Sequence, residues 1–199
     1  KAYVEPNVEL YERLLWLTRY SRENLFQRDI LPADLNGRME SFERLLDFLI
    51  NCSVKELKNE ELTEEEYVRL LSYGATLEYL TSSLAEPGMR WFEITSETDK
   101  NMAVIADVHT VFPDNYLEEA VGSAAQIFVV VPIGGKLYLT RGAIFDYYEF
   151  VSNKRLTDEE WQKMIKEDSQ PGQPEWMKSF QGGEKEEIPV PEDPYNGIG

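Results

Sequence analysis

A β-hairpin is predicted by residues 126–140, which read QIFVVVPIGGKLYLT. Residues 126–132 form a nearly continuous apolar run, as expected for a buried strand, and residues 136–140 form the returning strand. Gly134-Gly135 separates the two runs, and glycine accepts the positive φ angles that two-residue hairpin turns require. The second half of the chain is therefore predicted to contain an antiparallel sheet.

Further elements of this half are predicted on both sides of the hairpin. Residues 102–110 alternate in the two-residue period of a strand. Residues 114–120 are predicted to form a short helix that Gly122 ends, because Asp and Asn are favourable helix caps and glycine is a common terminator. Residues 143–150 are predicted to be a third strand or a bent continuation of the hairpin.

Helices are predicted where apolar residues recur with a period of 3.6. Three such stretches lie in the first part of the chain, near residues 6–24, 39–57 and 63–86. A capping box, in which Ser or Thr precedes Glu by three positions, opens the third helix at Thr63 and a further helix at Thr157. The first part of the chain is therefore predicted to be helical, with one more helix after the strands.

These patterns together predict an α+β fold. We expect a helical subdomain over residues 1–88, a mixed strand and helix subdomain over residues 89–168 and an extended, proline-rich tail over residues 169–199, all in one compact unit. Because a tail of this composition cannot form its own core, it is expected to pack on another surface through aromatic residues such as Trp176 and Tyr195.

The charge of the chain argues against several classes of partner. The sequence has 37 Asp and Glu against 20 Lys and Arg, a formal net charge of -17, so no nucleic-acid partner is expected. No apolar run approaches the roughly 20 residues of a membrane-spanning helix, so no direct membrane insertion is expected. The single cysteine, Cys52, cannot form an internal disulfide and is predicted to be a buried apolar side chain.

Six short motifs in a fixed order give the chain a family resemblance. They are YVEPN at 3–7, ADVHT at 106–110, LEEAVG at 117–122, YLTRG at 138–142, YYEF at 147–150 and RLTDEEW at 155–161. Over residues 1 to about 180 the chain resembles the family called domain of unknown function 3160, whose members show these motifs in the same order.

The resemblance implies that this chain is the C-terminal part of a longer prokaryotic protein. Members of the family are much longer than this chain and often look exported or membrane-anchored. A secreted or cell-envelope location is therefore expected, with the missing N-terminal portion as a partner, although no signal peptide is recognised in this chain. The resemblance implies no particular activity.

Two polar residues on one predicted strand are candidates for a metal site. Asp107 and His109, the only histidine, lie two positions apart and are expected to project from the same face of the strand. Together with Glu118 they are candidate ligands for a divalent cation. Alternatively, Asp107 holds the strand end through a local hydrogen bond, and the sequence leaves both interpretations open.

A wider binding site is predicted to consist of Asp107, His109, Arg141, Tyr148 and Glu149. Arg141 or Tyr148 is expected to meet Asp107 and His109 across neighbouring strands, because polar residues on a covered face need partners. Arg141 can instead pair with an internal carboxylate, and Tyr148 can instead fill the core.

The sequence predicts a structural or ligand-binding segment of a larger secreted or envelope protein. The alternative is a hydrolase whose site is shared with the absent N-terminal portion, to which this chain contributes Asp107, His109 and Glu149. The sequence does not decide whether the protein is an enzyme, since it contains no nucleophile motif such as Gly-x-Ser-x-Gly.

Overall fold

The structure, a computed structural model, describes residues 1–85 and 89–182. In these residues the helices are α1 (Val8–Gln27), α2 (Ala33–Leu57), α3 (Glu64–Leu71), α4 (Tyr73–Ala85), α5 (Glu97–Lys100) and α6 (Asp158–Lys166), with short 3₁₀ turns at Trp91–Glu93 and Glu175–Ser179. The strands are β1 (Ile105–Val111), β2 (Asn115–Ile133) and β3 (Lys136–Ser152). The predicted α+β class is confirmed. The predicted helix end at residues 86–88, and the tail beyond residue 182 with Tyr195, lie outside the described residues.

The described chain divides into two compact units. The first contains Lys1–Glu93 and Val130–Thr140, and the second contains Ile94–Val129 and the described residues from Arg141 onward. The chain thus leaves the second unit and returns to it within the β2–β3 hairpin. The predicted division at residues 88 and 168 into two subdomains and a tail within one compact unit stays a prediction.

The first unit is built on the apolar face of α2. Leu45, Phe48, Leu49 and Cys52 of that helix form a buried cluster with Leu62, Tyr67, Leu70 and Leu80. The predicted burial of Cys52 is confirmed, and burial raises the pKa of its thiol to about 11. Ile133 at the end of β2 packs against the same cluster.

Local hydrogen bonds explain where the helices of this unit begin and where one of them breaks. The predicted capping box is present, with the Glu66 N–H donating to Thr63 Oγ1 at 3.2 Å and the Thr63 N–H donating to Glu66 Oε2 at 2.8 Å. The predicted single helix after Thr63 is wrong in one respect, because Ser72 divides it into α3 and α4. The Ser72 hydroxyl donates to the Arg69 carbonyl at 3.1 Å, a bond that competes with continued helix, and Gly74 has low helix propensity.

The strands form one sheet in the order β1-β2-β3, and the strand residues of the second unit pack against α6. The predicted hairpin is confirmed, with positive φ at Gly134 (56°) and Gly135 (75°), and the 143–150 stretch continues β3. Trp161 of α6 is completely buried and packs with Ala103, Ala120 and Tyr148. Its indole N–H donates to the Val121 carbonyl at 2.9 Å, which fixes the helix on the sheet.

The helix predicted over residues 114–120 is wrong, because residues 115–120 begin β2 and Asp114 lies in the turn before it. Leu, Glu and Ala all favour helices when taken locally. In the structure Glu118, Ala120 and Gly122 are buried on one face of the strand, and this two-residue burial pattern overrides the local preference.

Gly122→Ala is expected to lower the free energy of unfolding of the protein by about 1–3 kcal/mol. A Cβ at this position would lie 2.8 Å from Tyr148 Cε2 and 3.0 Å from Asp146 Cβ, and the Tyr148 ring is held by Trp161. Urea denaturation measures the change. Gly172→Ala is the control because nothing lies within 4 Å of its new Cβ, and equal effects of the two variants would contradict the close packing at Gly122.

Candidate functional site

Asp107 is held by side chains close to it in the second unit. Its Oδ2 lies 3.0 Å from Arg155 Nε, and the Thr110 hydroxyl donates to both carboxylate oxygens at 3.2 and 3.3 Å. The Arg155 guanidinium also donates to Thr110 Oγ1 at 3.3 Å and lies 5.4 Å from the centre of the Tyr116 ring. The Asp107 carboxylate is therefore paired within the fold, by an arginine that the sequence analysis did not select.

Glu118 pairs with Asp107 in the β1–β2 register and is completely buried. One carboxylate oxygen accepts the Leu156 N–H at 3.2 Å, whereas Oε2 has no hydrogen-bond partner among the described residues. Burial raises the pKa of the Glu118 carboxyl, the Leu156 N–H opposes this rise, and the charge of Asp107 adds to it. Glu118 thus connects β2 to the segment that carries Arg155 and leads into α6.

The prediction that Asp107 and His109 share a strand face is wrong. Asp107 pairs with Glu118 but His109 pairs with Leu117, because a bulge at Val108 inserts one residue into β1. Paired residues share a face of a sheet, and Glu118 and Leu117 are successive residues on opposite faces. Asp107 and His109 therefore project to opposite sides, and His109 is exposed.

The predicted metal ligands are not brought together. In residues 1–85 and 89–182 no group of three or more His, Cys, Asp and Glu side chains is placed to hold a metal ion. The bulge explains this result, because it turns His109 away from Asp107 and Glu118.

The remaining predicted binding residues lie on β3, which β2 separates from β1. Tyr148 is buried against Trp161 with ring centres 5.0 Å apart, and Glu149 accepts a hydrogen bond from the Tyr147 hydroxyl at 3.2 Å. The sheet order therefore contradicts the prediction that Arg141 or Tyr148 meets Asp107 and His109 across neighbouring strands.

Arg141 is also displaced along the sheet from Asp107. A Cβ on Gly142, the next residue, would lie 3.3 Å from Ile127 Cγ2. Ile127 is nine positions beyond Glu118 on β2, which corresponds to about 30 Å at about 3.3 Å per residue. The five predicted binding residues thus do not form one cluster.

A cavity of about 480 Å³ lies in the first unit, at a place that the sequence analysis did not identify. Three distant segments form its lining: Ala2, Tyr3 and Pro6; Glu56, Leu57, Asn59, Glu60, Glu61, Leu62 and Tyr67; and Val131, Pro132, Ile133, Gly134 and Gly135. The first segment overlaps the YVEPN motif and the third contains the Gly134-Gly135 turn, but neither pattern indicates that the three segments meet around a cavity.

Glu56 is the polar residue of this lining with the most unusual environment. Its Oε1 accepts the Val4 N–H at 3.3 Å, and its Oε2 is buried without a hydrogen-bond partner among the described residues. Burial raises the pKa of the Glu56 carboxyl to about 7; the Val4 N–H opposes the rise and the charge of Glu5 adds to it. The neighbouring Glu61 is paired with Lys1 at 2.7 Å, and Lys1 Nζ lies 4.2 Å from the centre of the Tyr67 ring.

Glu56→Gln is expected to make stability less dependent on pH. The folded pKa of about 7 exceeds the ordinary value of 4.5, so burial disfavours the ionised form, and the wild type loses stability as pH rises from about 4.5 to about 7. With allowance for partial exposure, this loss is about 1–2 kcal/mol. Urea denaturation at several pH values measures it. Glu60→Gln, at an exposed position, should keep the wild-type dependence of the free energy of unfolding on pH. The same dependence in Glu56→Gln would contradict the raised pKa of Glu56.

The fold defines an acidic α+β protein with a cavity lined by carboxylates and tyrosines. Residues 1–177 match the family described as "Protein of unknown function (DUF3160)", and the chain belongs to this family. No match was found to a curated protein or to a solved structure. Within the described residues, no helix is both long and apolar enough to cross a membrane.

Proposed function

We propose that this chain is a structural and ligand-binding segment of a larger secreted or cell-envelope protein, and that the cavity of the first unit holds the ligand. The observation that carries the proposal is the buried Glu56 Oε2, which has no partner among the described residues, beside a cavity of about 480 Å³. A buried carboxylate oxygen without a donor is costly, and a ligand that supplies the donor removes this cost when the Glu56 side chain turns this oxygen toward the cavity. Cavities of roughly 300–1,000 Å³ accommodate small molecules.

The structural part of the proposal is supported by the second unit. Glu118 and Asp107 use their carboxylates to hold the segment before α6, through Leu156 and Arg155 respectively. Charge-assisted hydrogen bonds of this kind stabilise the fold. These residues therefore act as connections between elements of that unit.

A fragment screen by NMR on the ¹⁵N-labelled chain tests the ligand-binding proposal. We expect compounds that bind to shift the amide signals of residues 2–6, 56–62 and 131–135, because these segments line the cavity. Signals of residues 107–110 and 155–157 serve as an internal control. A screen whose hits shift only other residues, or that yields no hit, would overturn the proposal for this cavity.

The location and size of the natural protein are tested by cell fractionation. An antibody against this chain should detect a species longer than 199 residues in the envelope fraction or the medium. Detection of a species of this length in the cytosol would overturn that part of the proposal.

The hydrolase alternative stays a prediction. Its three residues in this chain are Asp107, His109 and Glu149. Asp107 and His109 lie on opposite faces of β1, and Glu149 lies on the other edge strand. No observation in the described residues favours this alternative over ligand binding in the first unit.

A further inference from the structure

The charge of the cavity lining restricts the ligands that the cavity can accept. Glu56, Glu60 and Glu61 contribute carboxylates, and no lysine, arginine or histidine is found in the lining that the structure describes. The nearby cation, Lys1, is engaged by Glu61 and lies over the Tyr67 ring. An anionic ligand would therefore meet like charges, whereas a cation would be attracted.

Glu56 lines the cavity and has one carboxylate oxygen whose hydrogen-bonding capacity is unused among the described residues. Of the buried oxygens that lack a hydrogen-bond partner among the described residues, Glu56 Oε2 belongs to a residue of this lining, and Glu56 Oε1 already accepts the Val4 N–H. An ammonium group supplies N–H donors together with a positive charge, and such charge-assisted bonds are roughly twice as strong as neutral ones.

A bare metal ion satisfies this site less well. Hard divalent cations take about six or more oxygen ligands, and the described residues contain no group of carboxylates placed to provide them. Apart from Asn59, the rest of the lining is apolar or aromatic, including Tyr3, Tyr67 and Ile133. Such a surface suits the hydrocarbon part of an organic molecule.

We propose that the cavity of the first unit binds a small organic molecule that carries a protonated amine, with the ammonium on Glu56 and an apolar or aromatic body against the tyrosines. This inference rests on the ligand-binding function proposed above and specifies the class of ligand. It also predicts that binding is linked to the ionisation of Glu56, since the ammonium requires the carboxylate form.

Isothermal titration calorimetry with three compounds of one skeleton tests the inference: benzylamine, benzyl alcohol and benzoate. At pH 8 benzylamine is expected to bind at least about tenfold more tightly than the other two. Its affinity should fall about tenfold from pH 8 to pH 6, because the Glu56 carboxyl, with a pKa of about 7, is mostly protonated at the lower pH. Titration in buffers of different ionisation enthalpy should show proton release near pH 7.

Two variants test whether the Glu56 carboxylate is responsible for the binding of benzylamine. Glu56→Gln should weaken benzylamine binding at pH 8 about tenfold or more and leave benzyl alcohol binding unchanged. Glu12→Gln makes the same change of charge on the exposed surface of α1 and should retain the wild-type affinity. If Glu56→Gln does not fold, the carboxyl ¹³C signal of Glu56 in the wild-type protein gives the same information, because saturating benzylamine should lower its pKa.

The outcomes separate this inference from the proposed function. Benzyl alcohol or benzoate binding in the cavity as tightly as benzylamine would overturn the amine inference and leave ligand binding standing. Benzylamine affinity that is independent of pH and of Glu56 would also overturn the inference. Absence of benzylamine binding would overturn it as well, while the fragment screen decides separately whether the cavity binds any ligand.

Discussion

Trp161→Ala is expected to lower the free energy of unfolding of the protein by about 3–5 kcal/mol. The side chain is 0% exposed, packs against Tyr148 and Phe150 with ring centres 5.0 and 5.8 Å away, and donates its indole N–H to the Val121 carbonyl. Its removal leaves a large cavity between α6 and the sheet and deletes the hydrogen bond to the Val121 carbonyl. Urea denaturation followed by far-ultraviolet circular dichroism measures the loss.

Trp176→Ala is the matched control for this prediction. Trp176 belongs to the same unit but is 56% exposed, with ring centres 5.9 Å from Tyr147 and 6.1 Å from Phe180. Its loss is expected to cost about 1 kcal/mol or less, as for exposed positions in general. Equal losses of unfolding free energy in the two variants would contradict the role of Trp161 in holding α6 on the sheet.

Leu49→Ala is expected to lower the free energy of unfolding by about 2–5 kcal/mol, because it leaves a cavity in the core of the first unit. Leu49 is 2% exposed and lies in the cluster formed by α2, Leu62 and Tyr67. Leu17→Ala, in the middle of α1, is the control because Leu17 is 53% exposed and alanine is a strong helix former. A similar loss in both variants would contradict the assignment of the core to the inner face of α2.

The elements that could be predicted from the sequence are those fixed by nearby residues. The hairpin depends on Gly134-Gly135, and the starts of α3 and α6 depend on capping boxes at Thr63 and Thr157. Each of these signals spans only a few residues, so tertiary contacts are not needed to recognise it.

The start of β2 could not be predicted in the same way. Glu118 is an acidic residue in a stretch of good helix formers, and nothing local indicates that it is completely buried. Its burial depends on the Leu156 N–H, 38 residues further along the chain. The alternation of buried and less buried residues that is typical of a strand appears at Glu118, Ala120 and Gly122 only when Glu118 is taken as buried.

The candidate sites required knowledge of register and of distant contacts. One inserted residue, Val108, separates Asp107 from His109, and a pattern of strict alternation cannot show such a bulge. The cavity near Glu56 is formed by segments around residues 2–6, 56–67 and 131–135. The sequence shows Glu56, Glu60 and Glu61 in one of these segments but not that the three segments meet.

The first unit cannot finish folding when its helices have been synthesised, because it also needs residues 130–140, which the ribosome makes after residues 94–129. Residues 1–93 are synthesised before residues 94–129, yet Val131 and Ile133 are needed to line the cavity and Ile133 to cover the α2 cluster. At a synthesis rate of about 5–20 residues per second, roughly 2–10 s pass between the synthesis of the helices and that of the hairpin. During this interval the side of the helices that contains Leu62 and Tyr67 is open to chaperones and proteases in the cell.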